Sequence, residues 1–173
     1  LYLAGHSSGA GIISRYVEHN GDYAVDGCVL IAPYNNTNQP QNIDQMTEAY
    51  GLVHLGALGD AFRGNIHRYV IGFNLGDSLE NLELSVVQYT YTTMTGSAAS
   101  DAVKFLSAYS NPVLWLNGAE DQLFDEDVCR TEFGKINNDH SKNRFVSVAD
   151  TSHIGMSWSA ATAAEISSWI GGL

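Results

Sequence analysis

Short apolar segments alternate with longer amphipathic segments at both ends of this chain. Residues 1–4, 25–32 and 112–117 are near-continuous apolar runs, and such runs are typical of strands buried on both faces of a parallel sheet. Residues 144–148 predict a further, shorter strand. Apolar residues three and four positions apart predict helices over residues 10–19, 125–136 and 159–170. The pattern therefore predicts an α/β fold in which helices flank a parallel sheet.

The alternation stops in the middle of the chain. Residues 44–58 and 60–73 mix apolar periodicity with several glycines and predict short helices. Residues 86–93 are rich in β-branched and aromatic side chains and predict an extended segment, and residues 98–109 predict another helix. The middle is therefore either an insertion or an irregular set of helices that covers the core. This organisation divides the chain into residues 1–34, 35–110 and 111–173.

The composition fits one acidic globular domain. The chain has 173 residues, and the 45% that are hydrophobic are enough for a sizeable core. Eight Lys and Arg residues against 19 Asp and Glu residues give a formal charge of −11. Without clustered basic residues, neither a nucleic-acid partner nor an anionic membrane surface is expected. No integral membrane segment is expected either, because no apolar run approaches the roughly 18 residues needed.

The start of the chain already has the pattern of a buried strand. The first residue is Leu rather than Met, and no basic segment of a signal peptide precedes the apolar run. We therefore expect that an N-terminal part of the same polypeptide precedes residue 1. The two cysteines, Cys28 and Cys129, do not make a disulfide framework and are expected to be free thiols without a chemical role.

A Gly-x-Ser-x-Gly motif joins the first predicted strand to the first predicted helix. The motif is Gly5-His6-Ser7-Ser8-Gly9. At a strand–turn–helix junction such a motif forms a nucleophile elbow, a strained turn that lifts the serine hydroxyl clear of the sheet. Gly5 and Gly9 are expected to keep side chains out of the place where strand and helix nearly touch. Ser7 is therefore the candidate nucleophile.

A serine nucleophile needs a base that takes its proton. Among the six histidines, His153 lies just past a predicted strand that ends near Val148. His6 lies inside the elbow. The other four follow no strand end: His19, His54, His67 and His140. His153 is therefore the candidate base.

An acid must hold the base in the correct tautomer. The carboxylates that follow the predicted strand 112–117 are Glu120, Asp121 and Asp125, of which Asp125 resembles a helix cap. Because the C-terminal ends of parallel strands align, this loop, Ser7 and His153 should meet at one edge of the sheet.

The sequence implies no cofactor. No cluster of His, Cys, Asp and Glu has the spacing of metal ligands. The segment from Gly5 to Gly11 lacks both the Lys of a phosphate-binding P-loop and the full Gly-x-Gly-x-x-Gly pattern of dinucleotide sites.

The chain resembles the α/β-hydrolases, and within them the branch of lysophospholipases, monoacylglycerol lipases and serine aminopeptidases. Four segments carry the resemblance, in the family's order: residues 5–9, 28–33, 112–121 and Thr151-Ser152-His153. They spread over nearly the whole chain. The resemblance covers only the C-terminal part of the family's fold, because the strands that normally precede the elbow are absent from this sequence.

The resemblance implies a catalytic triad of Ser7, Asp121 and His153. The family has the chain order Ser, Asp or Glu, His, and its Gly-x-x-Asp pattern, which begins at Gly118 in this chain, selects Asp121. The backbone N–H of Ser8 would supply half of the oxyanion hole, and the other half would come from a loop upstream of residue 1. Residues 35–110 would form a cap inserted over the active site.

The implied activity is that of a serine hydrolase cleaving carboxylic esters, lipid or monoacylglycerol-like, through an acyl-enzyme. Apolar candidates for the cap are Leu52, Val53, Leu55, Phe62, Ile71 and Phe73. A serine peptidase of the same fold would look much the same, and a non-catalytic binding protein is the alternative from another class. The intact triad argues against the latter. Residues 1–173 alone are expected to fold poorly and to be inactive, with the apolar first strand left at a sheet edge as an aggregation site.

Overall fold

The computed structural model describes residues 1–21, 24–34, 52–53, 55–65, 69–72, 88–90, 92, 96 and 98–172. Contacts between Cα atoms divide the chain into two units. The first unit consists of Leu1–Asn38 and Ser97–Leu173, and the second is Gln39–Gly96. In the described part of the chain, no helix is both long enough and apolar enough to span a bilayer.

Strands and helices are numbered in chain order. They are β1 (Tyr2–His6), α1 (Ser8–Asn20), β2 (Gly27–Ile31), β3 (Leu52–Val53), α2 (Leu55–Phe62), β4 (Tyr69–Gly72), β5 (Gln88–Thr90), α3 (Ala102–Ala108), β6 (Val113–Glu120), α4 (Glu126–Phe133), β7 (Arg144–Ser152) and α5 (Ala160–Gly171). A 3₁₀ turn, Gly155–Ser157, links β7 to α5.

The first unit contains a parallel sheet with the strand order β1-β2-β6-β7. Its inner strands are apolar runs, and residues 27–30 of β2 and 113–118 of β6 are buried. Leu116 of β6, for example, pairs with Val146 of β7. The predicted α/β fold, a parallel sheet with flanking helices, is confirmed.

The core of the first unit joins the inner strands to the last helix. Its buried members are Val29, Ala32, Leu114, Leu116, Val148, Met156 and Trp169. Trp169 of α5 also donates its indole N–H to the carbonyl of Lys142, at 2.7 Å. Burial of each large apolar side chain of this kind is worth about 1.5–3 kcal/mol. The C-terminal helix therefore anchors the strands that end at the candidate site.

The second unit differs from the sequence prediction in two elements. Residues 44–58 and 60–73 were expected to be helical, whereas Leu52–Val53 and Tyr69–Gly72 are strands, and Tyr69–Gly72 pairs antiparallel with both β3 and β5. The helical prediction is wrong for these two segments because strand pairing overrides a weak helical periodicity where β-branched residues are present. The helix Leu55–Phe62 and the extended segment at Gln88–Thr90 agree with the prediction. Residues 44–51 lie outside the described residues.

Helix α3 belongs to the first unit, although the sequence division placed it in the insertion. The second unit ends at Gly96 rather than at residue 110. The segment before α3 is tied to α1: the N–H of Ala99 donates to Ser14 Oγ at 3.1 Å, and Ser100 Oγ donates to Glu18 at 2.6 Å. These contacts join residues far apart in sequence, so apolar periodicity alone could not reveal them.

Gly118 lies where the backbone of β6 comes close to the backbone of β7. A Cβ atom at this position would lie 2.2 Å from the carbonyl oxygen of Thr151. The register between the two strands shifts between Gly118 and Glu120, so a bulge sits beside this contact. Only glycine fits at this position without moving the end of β7, because the atom that a side chain would strike belongs to the backbone.

Gly118→Ala is therefore expected to destabilise the protein. Overpacking against a backbone oxygen should lower the free energy of unfolding by about 3 kcal/mol, measured by urea denaturation of the full natural polypeptide. Gly171→Ala is the matched control, since a Cβ there meets nothing within 4 Å in the part of the chain that the structure describes. If Gly118→Ala lowers the free energy of unfolding no more than Gly171→Ala does, the close approach of the two strands is contradicted.

Candidate active site

Ser7 lies at a tight turn between β1 and α1, as the motif predicted. Its backbone has φ 53° and ψ −121°, a conformation that costs about 1–3 kcal/mol for a residue other than glycine. Surrounding hydrogen bonds hold it there: the N–H of Ser7 donates to the carbonyl of Ile31 at 2.9 Å, and its carbonyl accepts from Gly11 and Tyr34. The strained serine is thus fixed by the end of β2 and the loop that follows it.

The two glycines of the motif have different roles. A Cβ on Gly5 would lie 2.6–2.8 Å from backbone atoms of Gly9 and Ala10, so the predicted steric role of Gly5 is confirmed. A Cβ on Gly9 would meet nothing within 4 Å among the described residues, so the same prediction for Gly9 is wrong. The close contact is made by the main chain of Gly9, which the side chain of residue 5 would strike.

The structure brings Ser7, His153 and Asp121 together. His153 Nε2 lies 2.9 Å from Ser7 Oγ, and His153 Nδ1 lies 2.8 Å from Asp121 Oδ2. The side chains of His153 and Asp121 are only 2% and 0% exposed. A carboxylate can only accept a hydrogen bond, so Nδ1 carries the ring proton and Nε2 accepts from the serine hydroxyl. This is the orientation that a general base requires.

Asp121 is held by the backbone of its own loop. Its Oδ1 accepts hydrogen bonds from the N–H groups of Leu123 and Phe124, at 2.8 and 2.9 Å, which leaves Oδ2 facing His153. The two competing carboxylates lie elsewhere. Glu120 is exposed at the end of β6, and Asp125 caps α4 by accepting from the N–H of Val128 at 3.0 Å.

Asn117 was not singled out from the sequence. It is fully buried in β6, and its Nδ2 donates to the carbonyl of Phe124 at 3.0 Å. The phenyl ring of Phe124, itself 1% exposed, stands edge-on to the imidazole of His153 with ring centroids 5.1 Å apart. Asn117 thus supports the loop that holds Asp121. A single amide inside an otherwise apolar strand was the signal that could have revealed it.

Among the other histidines that the structure describes, none enters the group formed by Ser7, His153 and Asp121. His19 lies in the last turn of α1, and His140 lies in the segment before β7, whereas His54 and His67 are outside the described residues. His6 contacts the site: its Nε2 lies 2.8 Å from the carbonyl oxygen of His153. Burial lowers the pKa of His6 below its usual value, and the neighbouring His153 lowers it further.

The N-terminus of α1 begins directly after Ser7. Ser8 is the first residue of this helix. A helix N-terminus carries a partial positive charge, which favours a negative charge nearby. The position of Ser8 is therefore compatible with the oxyanion role expected from the sequence.

The cysteines contribute no nucleophile to the described site. Cys28 and Cys129 are both buried thiols that form no disulfide with each other. Burial raises the pKa of the Cys28 thiol to about 11, which keeps it protonated at neutral pH. Among the described residues, no group of three or more His, Cys, Asp and Glu side chains has an arrangement that could hold a metal ion.

Solved structures reveal the fold class, whereas sequence comparisons do not. No protein-family model matches the chain, and no curated protein matches it. The monoacylglycerol lipase of Paleococcus ferrophilus has a TM-score of 0.65 at 15% identity. The α/β-hydrolase GrgF of Penicillium sp. sh18 has a TM-score of 0.62 at 12% identity. A carboxylesterase of the thaumarchaeon Nitrososphaera gargenis has a TM-score of 0.57 at 13% identity.

These likenesses extend over almost the whole chain. They cover 98%, 96% and 98% of it, whereas the chain spans only 68%, 61% and 64% of the three proteins. The chain has the α/β-hydrolase fold, over the part of that fold that it spans. At these identities the likeness shows the fold alone, and it does not distinguish the lysophospholipase-like branch from others.

Proposed function

We propose that this chain carries the catalytic centre of a serine hydrolase that cleaves carboxylic esters. The observation that carries the proposal is the imidazole of His153, which bridges Ser7 Oγ at 2.9 Å and Asp121 Oδ2 at 2.8 Å. A buried acid, a correctly oriented base and a serine on a strained turn are the three groups that acyl transfer needs.

The reaction would proceed through an acyl-enzyme. Ser7 Oγ attacks the ester carbonyl while His153 Nε2 takes its proton, and Asp121 stabilises the imidazolium that forms. The tetrahedral intermediate collapses as His153 returns the proton to the departing alkoxide, which leaves as an alcohol. Water, deprotonated by the same nitrogen, then attacks the acyl group, and the acid product leaves with Ser7 regenerated.

The tetrahedral intermediate places a negative charge on the former carbonyl oxygen, which needs hydrogen-bond donors. The backbone N–H of Ser8 at the start of α1 is the proposed first donor. The second is expected from a loop after another strand of the fold. Loss of one such donor costs about 10²–10³-fold in kcat.

A lipid or monoacylglycerol-like ester is the proposed substrate class. One solved neighbour is a monoacylglycerol lipase and another is a carboxylesterase. Residues 35–110 are proposed as the cap, and within them residues 39–96 form a unit of their own. Of its apolar candidates, Leu55 and Phe62 lie on α2 and are 54% and 75% exposed. The side chains of Leu52, Val53, Ile71 and Phe73 lie outside the described set.

Fluorophosphonate labelling of the full natural polypeptide tests the proposal. Covalent labelling mapped to the peptide that contains Ser7 is the expected result, together with hydrolysis of p-nitrophenyl esters of increasing acyl length. Faster cleavage of peptide p-nitroanilides than of any ester would instead indicate a peptidase of this fold. No labelling and no hydrolysis of either substrate class would indicate a non-catalytic protein.

A further inference from the structure

The residues adjacent to Ser7 and Asp121 both contact the backbone of His153. His6 precedes Ser7, and its Nε2 donates to the carbonyl of His153 at 2.8 Å. Gln122 follows Asp121, and its Oε1 accepts from the N–H of His153 at 3.2 Å. Both main-chain polar groups of His153 are therefore bonded to side chains from two other segments, the end of β1 and the loop after β6.

These two hydrogen bonds are made by a residue that lies just past the end of a strand. Strand β7 ends at Ser152, one residue before His153. The direction of the Cα–Cβ bond of His153 depends on the orientation of its peptide groups, and that bond aims the imidazole. Side chains that fix those groups therefore fix the position of Nε2 relative to Ser7 Oγ.

We propose that His6 is a positioning residue that, together with Gln122, holds the backbone of His153 so that Nε2 stays within hydrogen-bond distance of Ser7 Oγ. This inference rests on the proposed function. His6 does not itself act as a base, because its Nε2 must carry a proton to donate to a carbonyl oxygen.

The contact between the two rings supports this role. The ring centroids of His6 and His153 lie 4.8 Å apart, so His6 limits how far the imidazole can tilt. The lowered pKa of His6, which is caused first by burial and then by His153, keeps His6 neutral while His153 becomes positively charged during the reaction. A cation at His6 would repel that charge.

His6→Phe and His6→Gln separate the hydrogen bond from ring packing. Phenylalanine keeps a ring of similar size without a donor, whereas glutamine places an amide N–H close to the position of Nε2. In the full natural polypeptide, His6→Phe is expected to lower kcat for a p-nitrophenyl ester and the rate of fluorophosphonate labelling by about 10–100-fold, with KM changed less than about twofold. His6→Gln should recover kcat to within about threefold of the parent.

Three results would overturn the proposal: an unchanged kcat in His6→Phe, an equal decrease of kcat in His6→Phe and His6→Gln, or a change in KM without a change in kcat. His19→Gln, at an exposed histidine of α1, is the control and should behave as the parent. If His6→Phe does not fold, Gln122→Met tests the proposal instead, because Gln122 is exposed and its replacement should not disturb folding. This variant is expected to lower kcat by about threefold. An unchanged kcat in Gln122→Met would count against the proposal. A parent protein that neither labels nor hydrolyses esters would refute the proposed function itself.

Discussion

Replacement of Ser7 by alanine is expected to lower kcat for ester hydrolysis by about 10⁴-fold or more and to abolish covalent labelling by a fluorophosphonate. The loss is this large because, in the proposed mechanism, Ser7 Oγ forms the bond to the acyl group, and without it His153 Nε2 would have no proton to take. Since Ser7 is only half-buried and its Oγ makes one hydrogen bond to His153, removing it should change the free energy of unfolding by no more than about 1 kcal/mol.

A second serine provides the control for this experiment. Ser167→Ala removes a hydroxyl from an exposed position on α5, where Ser167 Oγ donates to the carbonyl of Ala163. This variant should label and hydrolyse esters as the parent does. Undiminished labelling of Ser7→Ala would show that another residue is the nucleophile.

Asp121→Asn is expected to lower kcat by about 10⁴-fold without disturbing the fold. The N–H groups of Leu123 and Phe124 both point at Oδ1, so an asparagine must place its carbonyl oxygen there. Its NH₂ group then faces His153 Nδ1 and donates to it. The ring proton moves to Nε2, which can no longer accept the proton of Ser7.

The matched control is Asp125→Asn, the same change of carboxylate to amide four residues along the chain. Asn caps helices as well as Asp does, so α4 should be retained and kcat should stay within about twofold of the parent. Steady-state kinetics and the rate of fluorophosphonate labelling measure both variants. Equal kcat values for the two would mean that Asp121 does not orient the base.

The turn at Ser7 and the loops that carry Asp121 and His153 could be predicted because the sequence patterns that indicate them are local. A strand, a glycine-flanked serine and a helix stand next to each other in the sequence, and Asp121 and His153 each follow a strand. The ends of those strands were less predictable. β6 runs to Glu120 and β7 to Ser152, beyond the apolar runs, because Glu120 and Ser152 pair with each other where neither strand is apolar any longer.

The supporting contacts around the triad could not be read from the sequence. The bond between His6 and the carbonyl of His153 joins residues 147 positions apart, and no periodicity relates them. The strand Tyr69–Gly72 was missed for a similar reason, because its pairing partners on β3 and β5 decide its conformation. Prediction therefore succeeded where short-range sequence determines the turn and failed where distant main-chain partners do.

The contact between Gly118 and Thr151 also bears on the spacing of the candidate site. A Cβ on Gly118 would lie 2.2 Å from Thr151 O, and β6 and β7 are paired up to Glu120 and Ser152, so two closely packed strands carry Asp121 and His153. Ser7 lies at the junction of β1 and α1, and β2 stands between that junction and β6 in the sheet. The separation of Asp121 and His153 is therefore set by two neighbouring strands, whereas the separation of Ser7 and His153 depends on contacts that reach across the sheet, the bond from His6 to His153 among them.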